Sequence, residues 1–154
     1  MKKIIAVSLL TTITMVGCMQ IGGQAIPEPR AGFQATNTLP YTKAKVYQTS
    51  LDALNESGVI ILNEKKDVSI STDYVAGPTQ LVALGLLGSN STCYKYLITL
   101  SGTDKKVVLN VKAFLESSGN AVQSWRDVSG KNSEAVKSIQ DALIEKIESK
   151  LSNS

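Results

Sequence analysis

The stretch CYKYLITLSGTDKKVVLNVKAFLE, residues 93–116, decides the fold of this chain. Large apolar side chains alternate along both of its halves, at Tyr94, Tyr96, Ile98 and Leu100 and then at Val107, Leu109, Val111, Ala113 and Leu115. Alternation over this length is typical of half-buried strands, and residues 101–104 supply a turn between them. A second turn at 117–120 leads into residues 121–128, so the sequence predicts a three-stranded antiparallel meander.

A helix and a hairpin are predicted before the meander. Residues 42–57 carry a helical stripe, with Thr42 as N-cap and Gly58 just beyond the end; its apolar residues are Ala44, Tyr47, Leu51 and Leu54. The run Val59-Ile60-Ile61-Leu62 is continuously apolar and predicts a well-buried strand. After a polar turn at 64–67, residues 68–73 alternate and predict a second, half-exposed strand.

The last predicted element is a helix with Asn132 or Ser133 as its N-cap. Its apolar face consists of Val136, Ile139, Leu143, Ile147 and Leu151. The expected fold is α+β with two layers: an antiparallel sheet of about five strands, made of the hairpin and the meander, with the N- and C-terminal helices on one face. Residues 41–154 are expected to form this single domain, which is long enough to bury a core without disulfides.

One apolar segment, within VAGPTQLVALGLLGSNS at residues 75–91, fits neither amphipathic pattern. Gly77-Pro78 could open a short helix there, and Gly88 could close it. The segment either covers an open sheet face or forms an exposed patch for a partner or ligand. The residues of this predicted patch are Leu81, Val82, Leu84, Leu86 and Leu87.

The N-terminus has the organisation of a secretory signal peptide. Lys2 and Lys3 precede thirteen apolar or small residues, 4–16, whose helical length of about 20 Å is short of the ~30 Å hydrocarbon core of a bilayer. The segment ends in Met15-Val16-Gly17-Cys18, which resembles the lipobox of bacterial lipoproteins, with Met in place of the usual Leu. This resemblance implies lipidation of Cys18, removal of residues 1–17 and acylation, of the palmitate type, of the new amino group.

The resemblance also implies a location. Met19 stands where an inner-membrane retention signal would have Asp, so we expect the outer membrane of a double-membraned bacterium, with the domain facing the periplasm. Residues 18–40, with three prolines and no apolar periodicity, are expected to be the lipidated cysteine and a flexible tether. A docked edge strand within this segment is the alternative. An ordinary signal peptide is disfavoured, since Thr14, Val16 and Met19 fit its cleavage site poorly.

Composition disfavours several classes of function. Removal of Lys2 and Lys3 leaves 14 basic residues against 13 acidic ones, so we expect no nucleic-acid partner. The chain has no histidine, and lipidation of Cys18 would leave Cys93 as the only thiol, expected to be buried. Asp141, Glu145 and Glu148 are expected to be a solvated helix face. We therefore expect no metal site, no cofactor and no catalytic residues.

These observations favour a non-catalytic, lipid-anchored lipoprotein of the cell envelope, held to the membrane through Cys18. Its expected role is that of an accessory or protein-interaction module that binds another envelope protein. The alternative is a binding protein for a small apolar or lipidic ligand, with residues 81–87 as a flap. An enzyme is the third possibility, for which the sequence offers no positive feature.

Overall fold

A computed structural model describes residues 34–77, 80–81, 89–119 and 122–153 of the chain. Two α-helices lie near the two ends of this part, and strands lie between and before them. The strands are β1 Gln34–Leu39, β2 Ile61–Lys65, β3 Ser69–Thr72, β4 Val75–Ala76, β5 Gln80–Leu81, β6 Ser89–Thr103, β7 Lys106–Gly119 and β8 Val122–Asp127. The helices are α1 Lys43–Glu56 and α2 Ser133–Ser152, and a short 3₁₀ turn, Ser129–Lys131, precedes α2.

The strands form an antiparallel sheet, and the predicted α+β fold is confirmed. Five strands lie side by side in the order β1-β7-β6-β3-β2. β4 and β8 extend this sheet at one end, so that it contains seven strands, and β5 adds a two-residue pairing with the start of β6. Both helices contribute to one hydrophobic core with the sheet, on one of its faces.

The predicted β6–β7 hairpin is longer than the sequence indicated. The pairing extends along β6 from Ser91 to Thr103. On one face of the hairpin, it places Tyr96 opposite Ala113, Ile98 opposite Val111 and Leu100 opposite Leu109. These residues face the helices and are buried, because alternate residues of a strand point to the same face. The turn consists of Asp104 and Lys105 only and is shorter than the predicted turn at 101–104, because Ser101 and Thr103 belong to β6.

The predicted tether ends earlier than residue 40, because Gln34–Leu39 form an edge strand. β1 pairs with β7 from Gln34 opposite Lys112 to Leu39 opposite Val107. Side chains add to this pairing: Gln34 Nε2 and Thr36 Oγ1 donate to Asn110 Oδ1 at 2.6 and 2.9 Å. The docked edge strand is therefore the correct alternative for the end of the segment.

Helix α1 begins and ends where the sequence predicts. Thr42 is the N-cap, and its hydroxyl accepts from the Lys45 N–H at 3.2 Å. At the other end, the Gly58 N–H donates to Asn55 O at 2.9 Å and the Val59 N–H donates to Leu54 O at 3.0 Å. With Gly58 at φ +68°, these bonds form a Schellman motif, in which a left-handed residue ends the helix.

Helix α2 packs on the sheet with the predicted face. Val136, Leu143, Ile147 and Leu151 are buried, and Ile139 packs against the core while partly exposed. Asn132 is the N-cap residue, but its side chain makes no cap hydrogen bond. At the far end, Lys146 Nζ donates to Ser57 Oγ at 2.8 Å, and Lys150 pairs with Glu56, so α2 is linked to the end of α1.

The prediction of a well-buried strand at residues 59–62 is wrong. Val59 is buried beside the end of α1, but Ile60 and Leu62 are 65% and 58% exposed. The reason is that β2 is the outermost strand of the sheet and carries a bulge between Ile61 and Asn63. β3 is confirmed over Ser69–Thr72, where Ile70 and Thr72 are buried and their neighbours are half-buried. Val68, predicted for the same face, instead lies in the preceding turn and is exposed.

The predicted short helix after Gly77 is also wrong where the structure describes the chain. Gln80 and Leu81 form β5, which pairs antiparallel with Asn90 and Ser89. Residues 78–79 and 82–88 lie outside the described residues.

Candidate functional site

Among the residues whose side chains the structure describes, three large aliphatic ones are exposed, and all three lie at one edge of the sheet. Ile60 and Leu62 lie at β2, and Val68, 41% exposed, follows in the turn between β2 and β3. Isolated exposed aliphatic residues are normal on protein surfaces, but grouped ones mark interaction sites. We call Ile60, Leu62 and the strand β2 that contains Leu62 the β2 edge.

Among the described residues, the β2 edge is paired on one side only. β3 pairs with one side of β2, and no other strand of the described residues pairs with the other. Such a side presents unpaired backbone N–H and C=O groups, which can pair with another chain. The opposite edge of the sheet, β1, is different, because Leu39 is its one large aliphatic residue and is buried.

Two lysines mark the end of the β2 edge. Lys65 and Lys66 are both exposed, and within the described part of the chain neither takes part in an ion pair. The adjacent Glu64 is engaged elsewhere, since its Oε2 accepts from the Tyr47 hydroxyl at 2.8 Å. Burial of the Tyr47 ring, with this hydrogen bond, raises the pKa of Tyr47 to about 12. The β2 edge therefore combines an apolar part with a charged end, in which Glu64 and Asp67 flank the two lysines.

A second cluster lies on the sheet face opposite the helices. Glu116 is only 5% exposed, and its Oε1 accepts from the Tyr74 hydroxyl at 2.7 Å. Lys95 Nζ lies 5.1 Å from the centre of the Tyr74 ring and 5.3 Å from that of Phe114, within cation–π range. Through these contacts with Glu116 and Lys95, Tyr74 connects the segment that precedes β4 to strands β7 and β6.

The electrostatics of this cluster favour a structural role. Burial, with the hydrogen bond to Glu116, raises the pKa of Tyr74 far above its usual value, so the phenol stays protonated. Burial lowers the pKa of Lys95, while the charges of Glu116 and Asp73 oppose this shift. The Glu116 carboxylate therefore accepts a hydrogen bond from Tyr74 and interacts electrostatically with Lys95. These interactions activate no nucleophile within the cluster.

Neither feature can be predicted from the sequence alone, and the reason is the same for both. Tyr74, Lys95 and Glu116 are far apart in the chain, and only the strand register brings them together. The exposure of Ile60 and Leu62 depends on β2 being outermost, which the hydrophobic pattern does not encode. The one local signal was the polar run at residues 63–67, which follows the aliphatic run at once.

Most of the sequence-predicted site residues lie outside the described residues. These are the lipidation site Cys18 and the patch residues Val82, Leu84, Leu86 and Leu87. Leu81 is described by its backbone alone, as the second residue of β5 paired with Ser89. The predicted patch therefore stays a prediction.

The remaining candidates are placed by the structure. Asp141 pairs with Lys137 on the surface of α2, and Glu148 accepts from Asn37 of β1. Cys93 is buried, as predicted. The described residues contain no group of three or more acidic or thiol side chains that could hold a metal ion. None of the described helices is long and apolar enough to cross a bilayer.

No protein-family model and no curated protein matches this chain. Among solved structures, one match is a DUF4468 family protein from Bacteroides ovatus, with 13% sequence identity and a TM-score of 0.41. The match covers 64% of this chain and 60% of the matched chain, which is less than two thirds of its length.

Proposed function

We propose that this chain is a lipid-anchored lipoprotein of the cell envelope whose domain binds another envelope protein and catalyses no reaction. Cys18 holds it to the outer membrane, and the domain faces the periplasm. The motif at residues 15–18 supports the anchor, and the β2 edge supports the binding role.

The observation that carries the proposal is that Ile60 and Leu62 lie together at the β2 edge and are the two most exposed large aliphatic side chains among those that the structure describes. Burying a side chain such as Ile60 or Leu62 gains about 1.5–3 kcal/mol when it is fully covered. The domain leaves both in water, although its core buries similar residues completely. A partner that covers them recovers this free energy and also pairs the unpaired backbone of β2.

The position of the β2 edge is compatible with the anchor. The predicted tether enters the domain at β1, which is the opposite edge of the sheet. Four strand spacings separate the two edges, roughly 19 Å. A partner at β2 therefore does not compete with the tether for the same surface.

The proposal is tested in cells with the full chain, by placing a photo-crosslinking amino acid at Asn63. Asn63 is exposed on β2 between the apolar part and the lysines. We expect a discrete crosslinked product with one envelope protein. The matched position is Gln48, which is exposed on α1, and from there we expect no such product.

A double variant links the product to the aliphatic residues. Ile60→Ser with Leu62→Ser removes exposed side chains, so the thermal midpoint of the domain should change little while the product from position 63 is lost. The proposal fails if position 63 gives no discrete product, or gives the same products as position 48.

A further inference from the structure

The end of the sheet where β6 begins and β7 ends carries no charged residue. Strands β5 to β8 meet there, in a register that places Leu81 opposite Ser89 and Gly119 opposite Val122. The sequence contains no Asp, Glu, Lys or Arg at positions 75–94 or 117–125. We call the described residues of this part the uncharged end: 75–77, 80–81, 89–94, 117–119 and 122–125.

The opposite end of the sheet is charged. The β2–β3 and β6–β7 turns lie together there, because β3 pairs with β6 at Ser69 and Thr99, close to the β6–β7 turn. The charged residues in and beside these turns are Glu64, Lys65, Lys66, Asp67, Asp104, Lys105 and Lys106. Removal of a charge from water costs far more free energy than removal of a hydroxyl or an amide. Of the two ends, the uncharged one is therefore suited to a lipid interface.

An apolar run of the sequence begins and ends at the uncharged end. Leu81 of β5 lies opposite Ser89 of β6, so the two ends of the segment between them are neighbours. This segment, residues 82–88, reads Val-Ala-Leu-Gly-Leu-Leu-Gly and lies outside the described residues. Apolar side chains gain free energy on leaving water, and a lipid interface offers that gain.

The position of β1 is compatible with a membrane at the uncharged end. β1 begins at Gln34, opposite Lys112, and ends opposite Val107, so its first residue is directed towards the uncharged end. The seven residue steps of β7 from Lys112 to Gly119 correspond to roughly 23 Å. A flexible tether over residues 18–33 spans about 20–24 Å. The predicted anchor and the uncharged end can therefore reach the same membrane at once.

Trp125 stands at the border of the uncharged end. It is half-buried and precedes Arg126, the first charged residue of β8, which lies opposite Ser117. Tryptophan favours the boundary between lipid and water, because its indole ring is apolar and its N–H is polar. Arginine can keep its charge in water while its stem lies along an apolar surface.

We propose that the uncharged end lies in the lipid interface of the membrane that holds the chain, with Trp125 at the level of the headgroups. The inference rests on the proposed function and adds a second membrane contact to the lipid on Cys18. The β6–β7 turn then points away from the membrane, and the β2 edge stays in water, where a partner protein can reach it.

The test uses Trp125, which is the only tryptophan of the chain. The full chain, purified from cell membranes, is placed in phosphatidylcholine vesicles with or without bromine atoms on the acyl chains. Bromine quenches tryptophan fluorescence only at short range, so a domain that stands clear of the lipid gives the same signal in both. We expect fluorescence at least twofold lower in the brominated vesicles.

Two matched variants place one negative charge at either end of β6. Ser91 and Ser101 are both exposed, so Ser91→Asp and Ser101→Asp should leave the thermal midpoint nearly unchanged. Ser91→Asp should remove most of the quenching, because it brings a charge into the interface, whereas Ser101→Asp should leave the quenching unchanged. The wild-type measurement decides the inference if either variant does not fold.

The outcomes separate this inference from the proposed function. Equal wild-type fluorescence in both kinds of vesicle overturns the inference, and so does equal quenching in the two serine variants. A discrete protein product from a photo-crosslinking amino acid at position 91 also overturns it, because this end would then bind a protein. The binding function is decided separately, by the product from position 63. Mass spectrometry of the purified chain tests the anchor: a chain without lipid on Cys18 overturns the anchor and, with it, this inference.

Discussion

Gly58 and Gly102 both have positive φ, at +68° and +87°, but their surroundings differ. A Cβ at Gly58 meets nothing within 4 Å, whereas one at Gly102 would lie 2.3 Å from the Lys106 carbonyl oxygen. Gly58→Ala should therefore cost about 1–2 kcal/mol, the cost of a left-handed residue with a side chain. Gly102→Ala should cost more, because the β6–β7 turn must also move. Urea denaturation of the chain without residues 1–30 measures both, and equal losses would contradict the steric argument.

The raised pKa of Tyr47 predicts a loss of folding stability at alkaline pH. Its pKa is raised from 10.0 to about 12 in the folded domain, so the folded state holds the phenol proton more tightly than the unfolded state does. This contribution is fully present below pH 10 and is lost as the pH rises towards 12. Tyr47→Phe keeps the ring without the titrating hydroxyl. The gap in unfolding free energy between wild type and variant should narrow between about pH 10 and pH 12, and a constant gap would contradict the raised pKa.

At the scale of elements, the sequence predicts well those helices and strands whose ends and buried faces are determined by their own residues. Thr42 and Gly58 bound α1 because capping depends on the residues of the helix end themselves. The alternation in β6 and β7 predicted their buried face for a similar reason. The pattern is local, and the long hairpin pairs each strand with its neighbour in sequence.

The poorly predicted elements depend on distant residues. β1 has little strand character of its own, and it forms because β7 offers a free side and Asn110 accepts from Gln34 and Thr36. β2 resembles a central strand in sequence, but its position as the outermost strand is set by which strands pair. The candidate site follows from the same placement, so its exposure could not be predicted from the aliphatic run alone.

The packing of α2 on the sheet predicts the cost of a core substitution. Leu143 is buried among residues of the helices and sheet, so Leu143→Ala should destabilise the domain by about 2–5 kcal/mol through lost burial and the cavity left behind. Ser138→Ala, on the exposed side of α2, should stay within about 0.5 kcal/mol of wild type. Denaturation of both variants measures the difference. An unchanged midpoint for Leu143→Ala would mean that α2 does not pack as described.

At the scale of the whole molecule, the two edges of the sheet differ in what they carry. β1 continues from the predicted tether, and β2 carries the exposed aliphatic residues and lysines. β1 is oriented so that Gln34 is directed towards the end of the sheet where Leu81 pairs with Ser89. The chain from the predicted anchor therefore enters from the end that leads to the predicted patch, while the β2 edge lies to one side.

The separation of anchor and domain yields a prediction for Cys18→Ala. If Cys18 is lipidated before cleavage, the variant should lose lipid labelling and accumulate as a precursor that keeps residues 1–17. Its domain should melt at the wild-type temperature once these residues are removed, because Cys18 precedes every core residue that the structure describes. The yield of the crosslinked product from position 63 should nevertheless decrease when the soluble form is expressed in the periplasm, because confinement to one membrane raises the effective concentration of the two proteins.

Cleavage of Cys18→Ala to a soluble protein of normal mature size would show that an ordinary signal peptidase processes the chain. The proposed lipid anchor would then be wrong, whereas binding at the β2 edge would still be decided by its own test.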